Sequence, residues 1–309
     1  MKARSKNPRN HLHANLNEEG ADNRTVSPLL EFDASRVAII EPSRVIEPID
    51  IAEHCVLCFF QEVIAELVHE GARARHLHSG QSEVGDYPVY ELDYGGRRLA
   101  VVHPGVGAPA AVARFERVIA LGCRKFIVCG GAGVLDGTIN VGDIVVPSSA
   151  IRDEGASYHY LRPAREVAPT RRALAAIEAV LSENHHDYVL GKTWTTDAVY
   201  RETRQQVNRR KREGCVVVDM EAAAFFAVAR FRHVECAQIL YGGGQPRGPS
   251  MGAARMESSR DARTTVSSRR PGLPTAVSSA RPPSLELRSR IALRKKITVT
   301  CLMNRLPPR

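Results

Sequence analysis

The sequence predicts a single α/β domain built on a largely parallel, doubly covered sheet. Three observations predict it. Short β-branched runs alternate with longer amphipathic segments over about 210 residues. Several of those runs are continuously apolar, as strands buried on both faces are. Glycines cluster where the runs end, and ligands of open α/β sheets bind beyond the carboxyl ends of strands. No internal repeat competes with this reading.

The elements follow in order. "RVAII" (36–40) is a short β-branched run before Pro42 and predicts a buried strand. The segment 51–71 has helical length and ends at Gly71, a suitable C-cap. "YPVYELDYGGRRLAVVHPG" predicts two strands joined by a Gly95-Gly96 turn. The Ala-rich stretch 108–122 predicts a helix that stops at Gly122, and 125–133 a buried strand running into glycines. Pro147 predicts a break or bulge in the next strand. Residues 170–184 predict a helix capped by Thr170, and "DYVLGKTWTTD" a strand ending beyond Trp194. A strand at 215–219 feeds a helix at 221–231, and "VECAQILYGGG" closes the pattern.

Composition narrows the function. Apolar residues make up 43% of 309 and charged residues 25%, enough for a sizeable core. No run approaches the roughly 20 apolar residues of a membrane helix, and the N-terminus lacks a secretory h-region. Seven scattered cysteines, mostly in apolar runs, predict reduced thiols and a cytoplasmic protein. The formal charge of +9 suggests nucleic acid until it is split. Residues 245–309 hold 14 basic and three acidic side chains, so residues 1–244 carry a net charge of −2. The tail is Ser- and Pro-rich without aromatic interleaving, so neither a membrane nor a nucleic acid is an expected partner. Three regions result: a disordered 1–32, an ordered 33–244, and a basic tail at 245–309.

Four segments place glycine or charge at a predicted strand end. Arg44 follows the run at 36–40. Gly105 and Gly107 precede a helix start, where backbone N–H groups can hold an anion. Gly130, Gly131 and Gly133 permit close backbone approach to a ligand, or sharp turning. Asp219-Met220-Glu221 places carboxylates at a strand-to-helix junction, where the helix dipole favours them. Each also has a bland reading as a turn or a surface charge. Cys55 and Cys58 form a C-x-x-C beside His54, but no second pair follows at zinc spacing, so core packing is expected. Gly105-x-Gly107 with Ala110 lacks the downstream acid of a dinucleotide fingerprint.

Taken jointly, these segments resemble the nucleoside phosphorylase / uridine phosphorylase family, which also includes nucleosidases. The similarity runs from about 36 to about 242. It rests on "EPSRV" (41–45), "HPGVGAPAAVARFERVIALGC" (103–123), "KFIVCGGAGVLDGTINVGDIVVPSS" and "VVVDMEAAAFFAVA", in the family's order. The resemblance implies a three-layer α/β/α domain around a mixed, largely parallel sheet. It implies cleavage of a nucleoside to free base and (deoxy)ribose 1-phosphate, with inorganic phosphate as co-substrate and no other cofactor. It also implies a homo-oligomer. Residue by residue, it puts Arg44, Gly130 and Gly131 on phosphate, Met220 and Glu221 on ribose, and Tyr160 on the base. Arg201 and Arg204 are the nearest candidates for base recognition; Arg44 and Glu221 would be the catalytic pair.

The departures are specific. The family's second phosphate arginine is Val128 here, and the hydroxyl residue of its anion loop is Gly131. No acid follows the last core strand to assist the leaving base. The family's closing loop and helix have no counterpart in 245–309, which predicts a disordered or aberrant tail. Two alternatives therefore stand beside phosphorolysis: hydrolysis of the same bond by water, and a catalytically silent nucleoside-binding protein.

Overall fold

The computed structural model describes residues 27–69, 73–94 and 96–243. The expectations for residues 1–26 and for the tail 245–309 lie outside these residues. Ten strands and six α-helices make up the described chain. The strands are β1 (His54–Cys58), β2 (Arg73–Ser82), β3 (Gly85–Tyr94), β4 (Arg97–Val102), β5 (Lys125–Val134), β6 (Ile144–Asp153), β7 (Glu166–Val167), β8 (Tyr188–Thr196), β9 (Cys215–Asp219) and β10 (Glu235–Gly242). The helices are α1 (Pro42–Val45), α2 (Gln61–His69), α3 (Ala108–Leu121), α4 (Arg171–Glu183), α5 (Arg204–Arg212) and α6 (Ala222–Arg232).

All ten strands join one mixed sheet, ordered β10-β6-β8-β9-β5-β1-β4-β3-β2, with β7 on β6. An additional β10–β5 pairing closes five of the strands into a ring. Pairs β1–β4, β1–β5, β5–β10, β6–β8 and β8–β9 run parallel. Pairs β2–β3, β3–β4, β5–β9, β6–β7 and β6–β10 run antiparallel. Strands alternate their side chains between faces, and β1 shows the consequence. Cys55 and Leu57 enter a core shared with α3 and α6, whereas Val56 and Cys58 enter a second core with α2 and α4. Helices thus cover both faces, giving the expected three layers. Phe115 of α3 anchors the first core, edge-on to Phe126 at 4.7 Å and to Phe225 at 5.5 Å.

Several elements form where the sequence predicts them. α3 ends at Gly122, whose φ of 136° suits glycine. β9 feeds directly into α6, and the β6–β8 register shifts between Pro147 and Ser149. Thr170 precedes α4, but its hydroxyl donates to the Cys236 carbonyl and accepts from the Cys236 N–H instead of capping the helix.

Two corrections concern the N-terminal third. No strand forms at 36–40, where Val37, Ile39 and Ile40 are exposed and no neighbouring strand pairs with them. The helix predicted over 51–71 is a strand, β1, followed by the shorter α2. A central parallel strand buried on both faces reads as an unbroken apolar run, which periodicity cannot separate from a buried helix. The chain before β1 is instead fastened to the helical layer. Arg232 at the end of α6 pairs with Glu41 and with Glu116 of α3, each at 2.8 Å. Further on, the Ile49 N–H donates to the Leu121 carbonyl at the far end of α3.

Candidate functional site

The strand tips converge around Glu221. β9 ends at Asp219, Met220 follows half-buried, and Glu221 is the N-cap residue of α6. Asp219 sets the junction. Its carboxylate accepts from the Thr193 and Thr195 hydroxyls on β8, both at 2.9 Å. It also accepts from the backbone N–H of Glu221 at 2.9 Å and of Ala222 at 2.6 Å, occupying donors that a helix start leaves open. Thr195 in turn accepts from the Ala223 N–H at 3.0 Å. One carboxylate therefore joins two strands to the first turn of α6.

Glu221 is 7% exposed, and its Oε1 accepts from the Gly107 N–H at 2.6 Å. Gly105 and Gly107 both adopt positive φ, 79° and 89°, which lets the turn after β4 present that N–H. Burial pushes the Glu221 carboxyl up to about 8, and the charge of Asp219 adds to the shift. Asp219 is also raised, chiefly by burial. A third carboxylate, Asp197 beyond β8, accepts from the Gly155 N–H at 2.8 Å and adds to the field on Glu221. Glu154 beyond β6 is buried, with its pKa raised by that burial, and its Oε1 has no hydrogen-bond partner.

On the other side of the turn, His103 accepts from the Gly105 N–H at 3.1 Å through Nδ1. Burial, and then the charge of Arg114, lowers its pKa and keeps the ring neutral at physiological pH. Phe59, at the tip of β1, meets His103 edge-on at 6.0 Å and Phe225 at 6.5 Å. The glycines of β5 lie below. Gly130 and Gly131 do not form a loop, because β5 runs through both and pairs them with Leu240 and Tyr241 of β10. A Cβ on Gly131 would lie 2.8 Å from the Tyr241 ring, and one on Gly130 would lie 3.2 Å from Phe59. Their bare backbones admit two aromatic rings. Val128, in the same strand, is fully buried.

The structure brings some of the expected residues together and separates others. Met220 and Glu221 share the junction, and β5 crosses to it where Gly133 pairs with Val218. Arg201 and Arg204 are exposed in the segment after β8, beyond Asp197. Arg44 is elsewhere. It lies on α1, exposed, three residues from Glu41, which pairs with Arg232 at the opposite end of α6. At 1.5 Å per residue that end is about 16 Å from Glu221. Arg44 was expected at the tip of the first strand, but that strand is β1 and its tip carries Phe59. Tyr160 is also at the far end, edge-on to Phe231 at 5.4 Å. Burial and a hydrogen bond to Glu116 raise its pKa.

Sequence reasoning gave no individual role to Phe59, His103 or the threonine pair on β8. Phe59 was hidden inside a predicted helix. Thr193 and Thr195, spaced by two, share one strand face, a signal that only the strand assignment makes visible. Among the described residues no cluster of three or more His, Cys, Asp and Glu side chains is arranged to hold a metal ion.

Comparison with known proteins supplies the context. The family model described as the phosphorylase superfamily matches residues 53–269. The chain belongs to the phosphorylase superfamily. A guanosine phosphorylase of Halorubrum lacusprofundi is 29% identical over 154 residues, 50% of this chain and 64% of the relative. A uridine phosphorylase of Thermococcus kodakarensis is 34% identical over 118 residues, 37% of this chain and 42% of the relative. The chain spans about half the length of the curated relatives it matches. Two solved structures share the superfamily fold. A uridine phosphorylase from Vibrio fischeri superposes with a TM-score of 0.65 at 18% identity, covering 85% of this chain and 95% of that one. A purine nucleoside phosphorylase from Toxoplasma gondii gives 0.63 at 17%, covering 82% and 92%.

Proposed function

We propose that this superfamily member cleaves the N-glycosidic bond of a nucleoside with inorganic phosphate, releasing free base and (deoxy)ribose 1-phosphate. The observation that carries the reading is the buried Glu221 carboxyl, fixed at the strand tips by Gly107 and by the Asp219-anchored start of α6. Glu221 would accept from the ribose hydroxyls, with Met220 against the sugar. Breaking the C–N bond develops positive charge on the ribose, which a bound anion beneath it stabilises. The resemblance puts that anion at Gly130 and Gly131, where the Phe59 and Tyr241 rings now stand against the backbone and would have to give way, and it leaves the exposed Arg201 and Arg204 as candidates for the base. No cofactor beyond phosphate is part of the proposal.

Hydrolysis by water is the second reading, and a specific observation favours it. Val128 occupies a position where the resemblance expects an arginine, and Arg44 lies beside Glu41, which pairs with Arg232 at the far end of α6 from Glu221. Arg114, packed against Gly105, is a cation that does border the turn holding Glu221. A homo-oligomer is also proposed, because Ile39, Ile40 and Val45 leave apolar surface exposed beside α1. Sedimentation of the full chain tests it, and a monomer would remove it. A reducing cytoplasm suits the six described cysteines, all of which are buried.

Incubation with uridine, inosine, guanosine and adenosine, with and without phosphate, tests the function. Base released only with phosphate establishes phosphorolysis. Equal release without phosphate establishes hydrolysis, and no release from any nucleoside overturns both readings.

A further inference from the structure

A cavity of about 500 Å³ opens at the C-terminal end of α6, remote from Glu221. Four guanidinium groups border it: Arg36 before α1, Arg152 on β6, Arg162 in the loop before β7, and Arg230 in the last turn of α6. None of the four pairs with a carboxylate among the described residues. The wall holds one acid, Glu166, already engaged by Lys192 at 2.8 Å and by the Ser149 hydroxyl at 2.9 Å.

Arg152 is the most informative member. It is 4% exposed, yet its hydrogen-bond acceptors are all neutral: the Ser157 hydroxyl at 2.8 Å, the Arg162 carbonyl at 2.8 Å and the Leu161 carbonyl at 3.0 Å. A guanidinium has five N–H groups, and these bonds use three. Its plane lies 4.3 Å from the Tyr158 ring centroid, which fixes its orientation. A buried cation is costly unless an anion balances it. Burial holds Arg152 below the ordinary guanidinium pKa; Tyr158 and the Glu154 carboxylate offset part of that, and the charge of Arg230 adds to it. Two neighbours are also pre-positioned. Arg36 lies 4.4 Å from the Phe231 ring centroid and donates to the Phe231 carbonyl, and Arg162 lies 5.3 Å from the Phe32 ring. The dipole of α6 accounts for Arg230 at a helix C-terminus, but not for Arg152 on a strand.

We propose that this cavity binds a compact polyanion of the phosphate class, either a free oligophosphate or a phosphate ester, separately from the Glu221 site. Guanidinium forks match phosphate oxygens in pairs, and four around one cavity suit a ligand with more than one negative charge. The inference does not depend on the proposed reaction, since no cavity residue touches Glu221.

Titration calorimetry on the full chain tests it, with inorganic pyrophosphate in one arm and adenosine diphosphate in the other. Saturable binding is expected, weakening as salt rises. The double variant Arg162→Gln/Arg230→Gln changes two exposed side chains and is expected to bind at least tenfold more weakly with its melting temperature retained. Glu221→Gln is expected to leave the affinity within twofold. Equal affinity for the two probes supports recognition of phosphate alone, and tighter binding of the diphosphate supports an ester ligand. Absence of saturable binding in both arms, or unchanged affinity in the double variant, overturns the proposal.

Discussion

The Glu221 carboxyl and the Gly107 N–H meet at 2.6 Å, joining the start of α6 to the turn before α3. The two helices run side by side from that contact, and Glu116 and Arg232 join them again further along. The proposed sugar-binding carboxyl is thus held by backbone and does not depend on a flexible partner side chain.

If Glu221 holds the ribose hydroxyls, Glu221→Ala lowers kcat/KM at least about tenfold, on the order of 1.4 kcal/mol of transition-state binding. Steady-state kinetics on the best nucleoside check this. Unchanged kinetics refute the role.

Arg44 carries the opposite expectation. Its place beside Glu41, beyond reach of the Glu221 carboxyl, predicts that Arg44→Ala changes kcat/KM by less than about threefold, or under ~0.7 kcal/mol. A loss as large as that of Glu221→Ala would show that the residue enters a site by another route, such as a neighbouring copy.

The raised pKa of Glu221 makes stability depend on pH. Between its ordinary value near 4.5 and its folded value of about 8, the folded protein keeps a proton that the unfolded chain releases. The resulting stability is fully present below pH 4.5 and is lost as pH rises through about 8. Glu221→Gln removes that dependence and preserves the acceptor for Gly107. Its melting temperature should exceed that of the native protein at pH 8, with the difference shrinking toward pH 5. Parallel pH–melting curves for the two proteins would contradict the assignment.

Asp219→Ala takes the acceptor from four donors, of which the Thr193 hydroxyl keeps the Val217 carbonyl and three are stranded: the Thr195 hydroxyl and two N–H groups of the α6 start. Unsatisfied buried donors cost about 1–3 kcal/mol each when nothing relaxes. A total loss of about 3–5 kcal/mol is expected by urea denaturation, because water can enter the space the carboxylate leaves. A loss below about 1 kcal/mol would show that the junction does not rely on Asp219.

The legible elements carried a local signal of their own, whether or not one face meets water. α3 and α4 show a clear helical stripe, and β9 into α6 is a β-branched run turning into an Ala- and Phe-rich one. β1 was not legible because His54–Cys58 is apolar on both faces, while the exposed Val-Ala-Ile-Ile run at 37–40 imitates a strand with nothing beside it. α5 is highly polar, and its only local signal was the Thr203–Gln206 capping box, which the structure contains. The position of Met220 and Glu221 was legible because a strand-to-helix junction is a local pattern. Tyr160 rested on the resemblance alone, and Arg44 also on the strand expected at 36–40, which does not form.

The ring in the sheet also sets how late in synthesis the sheet can close. β5 is made early, but its partner β10 follows about a hundred residues later and must pair with β5 and β6 together. Until Gly242 clears the ribosome, the nascent chain carries an unsealed seam along β5. Chaperone capture during translation should concentrate on that interval.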